Sequence, residues 1–437
     1  MAKKVKDADK KPRKQRREDE PRSHTGKIVF GVLALIVAIV AVKVPPLLFR
    51  EKSLEPPTFP IPPDARPGKC PKVVRANSTR EAVSIIIPYL NEEWFRISAT
   101  MESILHYTDL SLVREIMWIS DGNTPDKVFA RELREMHRKV SVHQNDKNLG
   151  LIKTKMEAAA RAKGRVLMFL EPHVLVTPGW LEPLLNRIAE QPRALVMPAL
   201  DALTEDLKYY RAGYGQWRFE WNLNLVYSNP LKVGHEDHYK PYTSPATSGG
   251  IYAIRKDFWD GLEFFDPELV RWGGDHVEAS HKVWRCGGRI EVHPCSRVGH
   301  WFRDEAVRPY SVKVESVVRN YKRLAEVWFD GYTREFYKVK PDAIRMDIGN
   351  VTGMKERRER LKCEDMAWYV NNVDVELGWE VDNICIPGAP AKYNGCASST
   401  PVPHYTTIDK AIPAEEYKRR RAAARLALSR DRGLKKK

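Results

Sequence analysis

The sequence predicts an α/β fold built on a doubly wound, mainly parallel sheet. From residue 81 onward, short β-branched or apolar runs alternate with stretches of helical periodicity. Turn-forming residues follow some of these runs directly, as Asp121-Gly122-Asn123 follows the second run. Such alternation is typical of parallel sheets with crossover helices. Ligands of these sheets bind beyond the carboxyl ends of the strands, so we expect a functional site at that edge.

Each element is predicted from its own residues. The β-branched run Val83–Ile87 ends at Pro88, and a helical pattern follows from Trp94 to Leu105. The run Val166–Leu170 is entirely apolar, as expected for a strand buried on both faces. Further strands are predicted at Glu115–Ser120, Val140–His143 and Ala194–Pro198. Further helices are predicted at residues 125–138, Ile152–Ala162 and Trp180–Glu190.

The motif Glu171-Pro172-His173 directly follows the apolar strand and suggests a metal site. In an extended loop its carboxylate and imidazole can turn to one ion, and this pair suits Mn²⁺ or Mg²⁺ better than structural zinc. A divalent cation there would neutralise charge on a leaving diphosphate. In the alternative interpretation, which the isolated motif favours, Glu171 caps a turn and His173 is packed in the core. Asn91 and Asp121 follow two other strands, so we expect them at the same edge.

The charge of the chain is concentrated at its two ends. The formal net charge is +16, with a calculated isoelectric point near 9.4. Residues 1–27 carry eleven Lys and Arg against five Asp and Glu, a net charge of +6. Residues 410–437 carry eleven against three, a net charge of +8. The remaining chain is nearly neutral, which argues against a nucleic-acid groove in the folded domain.

One apolar segment predicts a membrane anchor. Residues 28–44 are apolar except for one glycine and Lys43, and Pro45-Pro46 follow them. As a helix these residues would span roughly 25 Å, which suits a thin membrane of the early secretory pathway. A cleaved signal peptide is the alternative, but the basic leader is long and no small-x-small site precedes the prolines. The basic leader favours a cytoplasmic amino terminus, which leaves the rest of the chain in the lumen.

The chain divides into five predicted regions. They are a basic cytoplasmic tail (1–27), the anchor (28–44), a proline-rich lumenal stem (45–80), a catalytic domain (81–380) and a C-terminal extension with a basic helix (381–437). Six cysteines in a lumenal chain predict disulfides, and the absence of a CxxC pair argues against a zinc site.

Twelve sequence blocks between about residues 70 and 375 resemble the polypeptide N-acetylgalactosaminyltransferases, which start mucin-type O-glycans from UDP-GalNAc. The first six are SIIIPYLNEEW (84–94), EIMWISDGN (115–123), NLGLIKTK (148–155), VLMFLEPH (166–173), GWLEPLL (179–185) and FEWNLN (219–224). The last six are SGGIYAI (248–254), RWGGDHVEAS (271–280), VWRCGG (283–288), PCSRVGHWFR (294–303), RLAEVWFD (323–330) and LKCEDMAWY (361–369).

The resemblance implies a GT-A fold, a requirement for Mn²⁺ and front-face transfer that retains the anomeric configuration. The implied reaction moves GalNAc from UDP-GalNAc to Ser or Thr of a protein or glycopeptide acceptor. The implied location is the Golgi membrane, as a single-pass type II protein with a lumenal catalytic domain. Because little chain follows residue 380, we expect the C-terminal lectin domain of the family to be absent.

The resemblance also assigns roles to individual residues. The implied metal ligands are Glu171, His173 and His300. The nucleotide and sugar are expected at Asn91, Asp121, Gly249, Gly250, Trp272, His276, Arg303 and Tyr310. Catalytic roles are expected for Trp272, Asp275 and Arg303. The implied disulfides are Cys70–Cys295 and Cys286–Cys363, which leaves Cys385 with Cys396. In the plainer interpretation Trp272 is a core residue, as we expect Trp221 and Trp328 to be.

The sequence departs from the family pattern at several site positions. Leu90 and Ser120 stand where the family has His and Asp, and Glu171 replaces an aspartate. Asp275-His276 replaces Glu-Asn, which alters the groups expected on the sugar side. Two alternatives therefore remain beside the GalNAc-transferase hypothesis. One is a GT-A enzyme with another UDP-hexose or acceptor, and the other is a non-catalytic relative.

Overall fold

The structure is a computed structural model that describes residues 64–71, 82–210, 215–228, 239–303, 309, 311–378 and 381. These residues all belong to one compact unit of the chain. The predicted anchor, residues 28–44, lies outside them, as do the basic tail and nearly all of the C-terminal extension. Within the described ranges, no helix has both the length and the apolar character needed to cross a bilayer.

The first part of the fold is the predicted alternation of strands and helices. Four parallel strands lie in the spatial order β4, β1, β2, β3. They are β1 (Val83–Tyr89), β2 (Val113–Asp121), β3 (Val140–Asn145) and β4 (Val166–Phe169). The crossover helices are α1 (Trp94–Tyr107), α2 (Ala130–Met136) and α3 (Leu151–Arg161).

One predicted helix is interrupted. Residues 125–138 were expected to form one helix, but the structure has a 3-10 turn at Pro125–Lys127 and then α2. Phe129 lies between them with φ of 49°, in the left-handed region. A non-glycine residue there breaks the run of helical backbone angles, so the single-helix prediction is wrong.

The second part of the sheet mixes parallel and antiparallel strands. Strand β11 is antiparallel to β4 and β6, and β12 runs parallel to β6 and antiparallel to β5. The strands here are β5 (Val174–Val176), β6 (Ala194–Leu203), β7 (Tyr209–Tyr210), β10 (Tyr242–Thr243), β11 (Tyr252–Arg255) and β12 (Arg289–Trp301). Strands β8 (Gln216–Phe219) and β9 (Leu225–Ser228) form a separate hairpin. The prediction of a mainly parallel sheet therefore holds for the first half, and antiparallel β11 joins the two halves.

The remaining helices cover the sheet and extend beyond it. They are α4 (Leu181–Glu190), α5 (Lys256–Gly261), α6 (Asp275–Arg285), α7 (Val314–Trp328), α8 (Thr333–Val339), α9 (Thr352–Arg360), α10 (Met366–Asn372) and α11 (Val375–Gly378).

Both faces of the sheet are buried, as the doubly wound prediction requires. Ile86 packs on one face in a cluster with residues of α3, α6 and α7. Its neighbours Ile85 and Ile87 pack on the other face with residues of α1 and α4. Successive side chains of a strand point to opposite faces, so a continuous apolar strand must be covered twice. Trp221 and Trp328 are fully buried in the first cluster, which confirms that they are core residues.

Two disulfides join distant parts of the domain, and both confirm pairings implied by the resemblance. Cys70 pairs with Cys295 on β12, and Cys286 after α6 pairs with Cys363 after α9. Cys385 and Cys396 lie outside the described residues, so their expected pairing stays a prediction.

Candidate functional site

A cavity of about 390 Å³ opens beyond the carboxyl ends of β1, β2 and β4. This is the edge where the sequence predicts a site, and the volume lies in the range of ligand pockets. The predicted residues that line it are Asn91, Asp121, Glu171, His173, Gly250, Trp272 and Arg303. Tyr310 lies outside the described residues.

Strand pairing brings His300 to the Glu171-Pro172-His173 motif. His300 on β12 is paired with Val174 on antiparallel β5, and Val174 is the residue after His173. The backbone N–H of Trp301 also donates to the carbonyl oxygen of His173. His173 and His300 are far apart in sequence but close in the fold, because β5 directly continues the motif and pairs with β12.

Glu171, His173 and His300 form a compact set of possible metal ligands. Glu171 Oε2 lies 2.6 Å from Nε2 of His300 and 2.9 Å from Nε2 of His173. One donor atom from each side chain lies within 4.8 Å of the others, as ligands of a single ion require. One carboxylate and two imidazoles are donors that divalent cations accept. The interpretation of Glu171 as a turn cap and His173 as a plain core residue does not account for this convergence.

The charges of these groups are set by burial and by each other. Burial alone would raise the pKa of Glu171, but His300 and His173 outweigh it and hold that pKa well below the usual range. Burial lowers the pKa of His300, which favours the neutral imidazole that a metal needs. Burial would also lower the pKa of His173, but hydrogen bonds to Glu171 and Glu92 raise it.

Glu92 supports the ligand set, although no motif in the sequence singled it out. Its Oε2 accepts hydrogen bonds from Nδ1 of His173 at 3.0 Å and Nη1 of Arg303 at 2.9 Å, and its Oε1 accepts from Arg96 at 3.3 Å. Burial would raise the pKa of Glu92, but His173 and Arg303 bring it down to about 2. A carboxylate that orients a ligating histidine is a common support of metal sites. The sequence offers one indication of this role: Glu92 follows Asn91 directly beyond the end of β1.

Gly250 lies beside Glu171 because no side chain fits there. A Cβ atom at Gly250 would lie 2.0 Å from Glu171 Oε1. A substitution would therefore displace the carboxylate from the ligand set, so the predicted glycine at this position is required sterically.

Asn91 and Asp121 fasten the loops that form the cavity floor. The backbone N–H of Asn91 donates to Oδ1 of Asn123, and the N–H of Thr124 donates to Oδ1 of Asn91, each at 2.9 Å. The Asp121 carboxylate accepts hydrogen bonds at 2.9 Å from the N–H groups of Leu149 and Gly150 and from the Asn145 amide. Its carboxylate therefore holds the turn before α3 while lining the cavity.

The predicted site residues Asp275 and His276 do not line the cavity. Asp275 is 4% exposed, and its Oδ2 lies 2.9 Å from the ammonium of Lys155, a residue missed in the sequence analysis. The same ammonium donates to the carbonyl oxygen of Gly249 at 2.6 Å. Burial alone would raise the pKa of Asp275, but Lys155 and His276 hold it below its usual value. Lys155, rather than the predicted aspartate, faces the cavity, and no local pattern distinguished this lysine from a surface residue.

The loop before α6 is held from behind by Asn320. The Asn320 amide donates to the carbonyl oxygens of Val270 at 2.8 Å and Gly273 at 2.9 Å, and its oxygen accepts from the N–H of Val270 at 3.0 Å. This clamp fixes the segment that presents half-buried Trp272 to the cavity. His276, the second residue of α6, packs its ring against Phe219 instead.

Comparisons with known proteins show which chains this protein resembles. The pattern of glycosyl transferase family 2 matches residues 84–261. The chain is 35% identical to mouse polypeptide N-acetylgalactosaminyltransferase 16, over 77% of this chain and 61% of that protein. It is 34% identical to the inactive polypeptide N-acetylgalactosaminyltransferase-like protein 5 of Macaca fascicularis, over 67% of this chain and 68% of that protein.

A solved structure gives the same result for the fold. The crystal structure of GalNAc-T7 with UDP, GalNAc and Mn²⁺ matches 69% of this chain and 58% of its own, with a TM-score of 0.63 and 28% identity. The chain spans less than two thirds of the length of the mouse relative and of GalNAc-T7. The GalNAc-T7 match confirms the mixed α/β GT-A fold. The similarity over 68% of the macaque protein shows the family of this chain. The chain belongs to the polypeptide N-acetylgalactosaminyltransferases.

Proposed function

We propose that the chain is a metal-dependent glycosyltransferase that transfers GalNAc from UDP-GalNAc to Ser or Thr of protein or glycopeptide acceptors. The observation that carries the proposal is the convergence of Glu171, His173 and His300 at the edge of the cavity. Membership of the family supports the reaction, and the Mn²⁺ and UDP of GalNAc-T7 support the choice of cation and donor.

The donor set fits Mn²⁺. Glu171, His173 and His300 would hold the ion, which supplies positive charge against a leaving diphosphate. Glu92 keeps Nδ1 of His173 engaged, so that Nε2 is directed to the ligand set. Arg303 is 10% exposed, bonded to Glu92, and lines the same cavity, where its guanidinium can bind phosphate oxygens.

A transfer assay tests the proposal. Purified protein should transfer GalNAc from UDP-GalNAc to Ser/Thr peptides with Mn²⁺, and EDTA should abolish the reaction. The variant Glu171→Ala should lose turnover, whereas Glu93→Gln, at an exposed neighbouring acid, should not. Metal-dependent UDP binding without turnover on any acceptor would instead identify a non-catalytic relative.

A different UDP-hexose is the second candidate, and the Lys155–Asp275 pair favours it. The pair commits the carboxylate expected on the sugar side to a buried ammonium. Hydroxyl-recognising sites discriminate strongly when one hydrogen-bonding partner changes. Comparing kcat/KM for UDP-GalNAc, UDP-GlcNAc, UDP-Gal and UDP-Glc in wild type and Asp275→Glu/His276→Asn tests it. An unchanged ratio across the four donors would mean that these positions do not select the sugar.

We further propose a type II Golgi membrane protein with residues 28–44 as its anchor and the catalytic domain in the lumen. The two disulfides support an oxidising compartment. The apolar run and basic leader support the orientation. Protease protection of the catalytic domain in intact microsomes tests it, and digestion without detergent would contradict it.

A further inference from the structure

The guanidinium of Arg271 lines the cavity, and no carboxylate among the described residues neutralises its charge. Its side chain is exposed and lines the cavity together with Asp121 and Asn148. Its Nη1 donates to Oδ1 of Asn148 at 3.1 Å, and no carboxylate of the described residues forms an ion pair with it. A guanidinium has five N–H donors, so this neutral partner leaves most of them available to a ligand.

The backbone at Arg271 is held in an unusual conformation. Its φ is 55°, in the left-handed region where a side chain with a Cβ is strained. A Cβ atom at Gly150 would lie 2.3 Å from Cα of Arg271, so glycine allows the two backbones to touch. Asn320 fixes the residues on either side of Arg271 through the carbonyl oxygens of Val270 and Gly273. The surrounding contacts over-determine this strained position, as is common at functional sites.

The sheet places Arg271 far from the metal ligands. Glu171 follows β4, and Asn148 follows β3, with β1 and β2 between those strands. Neighbouring strands are about 4.8 Å apart, and the backbone of Asn148 packs against Gly122 beyond β2, so two strand spacings, roughly 10 Å, separate it from the end of β4. A group bonded to Asn148 therefore meets a different part of the ligand from the diphosphate held at Glu171, His173 and His300.

We propose that Arg271 recognises the nucleoside part of the donor, by donating hydrogen bonds to ribose hydroxyls or base carbonyl oxygens. This inference rests on the proposed function, because it takes the ligand of the cavity to be a nucleotide sugar. Asp121 lines the same end, and its oxygens already accept hydrogen bonds from Leu149, Gly150 and Asn145. Arg271 thus supplies uncommitted donors beside a carboxylate whose oxygens are already engaged.

Two ligands separate the nucleoside from the diphosphate. The dissociation constants of UDP and of pyrophosphate are measured with Mn²⁺ present, for wild type, Arg271→Met and Arg271→Asn. Asparagine tolerates positive φ, so the second variant controls for strain introduced by methionine. Arg131→Met, at an arginine that is 80% exposed and does not line the cavity, is the matched control for loss of one charge.

Loss of the hydrogen bonds should raise the dissociation constant of UDP by roughly tenfold or more in both Arg271 variants. Pyrophosphate should bind all variants as it binds wild type, and Arg131→Met should bind both ligands normally. An unchanged UDP constant, or equal losses for UDP and pyrophosphate, would overturn the inference. Failure of wild type to bind either ligand with Mn²⁺ would instead contradict the proposed function.

Discussion

Two carboxylates near the cavity differ in state: Glu171 lines the cavity at its metal end, whereas Asp275 lies behind Lys155 at what we call the lysine end. At the metal end, formed by Glu171, His173 and His300, the Glu171 carboxylate is 33% exposed and faces two imidazole nitrogens. At the lysine end, formed by Lys155 and Asp275, the carboxylate is 5% exposed and faces a buried ammonium. A cation can bind at the first end, whereas the protein itself already supplies the cation at the second. Acidic residues in two motifs of the same family can therefore have ligand-binding or structural roles, depending on the partner nearby.

Removing Lys155 should have the largest effect, because it removes the cation that pairs with buried Asp275. The variant Lys155→Met leaves Asp275 buried without its cation, and loss of one partner of a buried pair costs about 3–5 kcal/mol of stability. Urea denaturation measures the loss. The double variant Lys155→Met/Asp275→Asn should recover part of it, since no unpaired charge is then buried. A loss below about 1 kcal/mol in the single variant would show that Asp275 is solvated, as an exposed ion pair would be.

Removing His300 should abolish metal-dependent UDP binding without loss of the fold. Since His300 is a proposed ligand, we expect a loss of Mn²⁺ affinity greater than the roughly 10- to 100-fold contributed by supporting residues. Titration calorimetry of His300→Ala measures it. His143→Ala, at a histidine on β3 that does not line the cavity, is the control. If His300→Ala binds UDP with Mn²⁺ as tightly as wild type does, the proposed metal site is ruled out.

Glu92→Gln should weaken the metal end without removing a ligand. The amide cannot accept at both of its terminal atoms, so either His173 or an arginine loses its partner. We expect Mn²⁺ affinity to fall roughly 10- to 100-fold. Glu93→Gln is the matched control, because Glu93 is exposed and pairs with Lys127 on the surface. Equal Mn²⁺ affinities in the two variants would show that Glu92 does not support the metal site.

The smallest expected effect concerns His281, on the same helix as Asp275. Its ring is fully buried among aromatic side chains, and neither ring nitrogen has a partner among the described residues. Burial holds the pKa of His281 well below its usual 6.5. The folded state then binds fewer protons than the unfolded state, so this contribution to stability is lost as pH falls below that value.

Replacement by an aromatic residue isolates this contribution. From about pH 7.5 to about pH 5.5, wild type should lose about 1.4 kcal/mol more stability than His281→Phe. Urea denaturation at the two pH values measures the difference. Parallel losses in both proteins would mean that His281 is protonated in the folded state.

Local patterns predicted much of the fold and part of the site. The strands β1 to β4 and β6 were identified because apolar runs and turn residues are contiguous in sequence, whereas the three-residue strand β5 was missed. The motif Glu171-Pro172-His173 and the residues Asn91 and Asp121 were identified because they lie directly beyond strand ends. The interruption at Phe129 was missed, since a single left-handed residue leaves no periodic signal.

The sequence by itself determined the alternating order of elements and the metal motif, because both depend on residues close together in the chain. Its resemblance to a family added His300 and the disulfides, which spacing alone does not predict. Only the tertiary structure decided that Glu92 supports His173, that Lys155 neutralises Asp275, and that Arg271 reaches the cavity. Each of these contacts joins residues on different elements, and strand register and helix packing bring such residues together only in the complete fold.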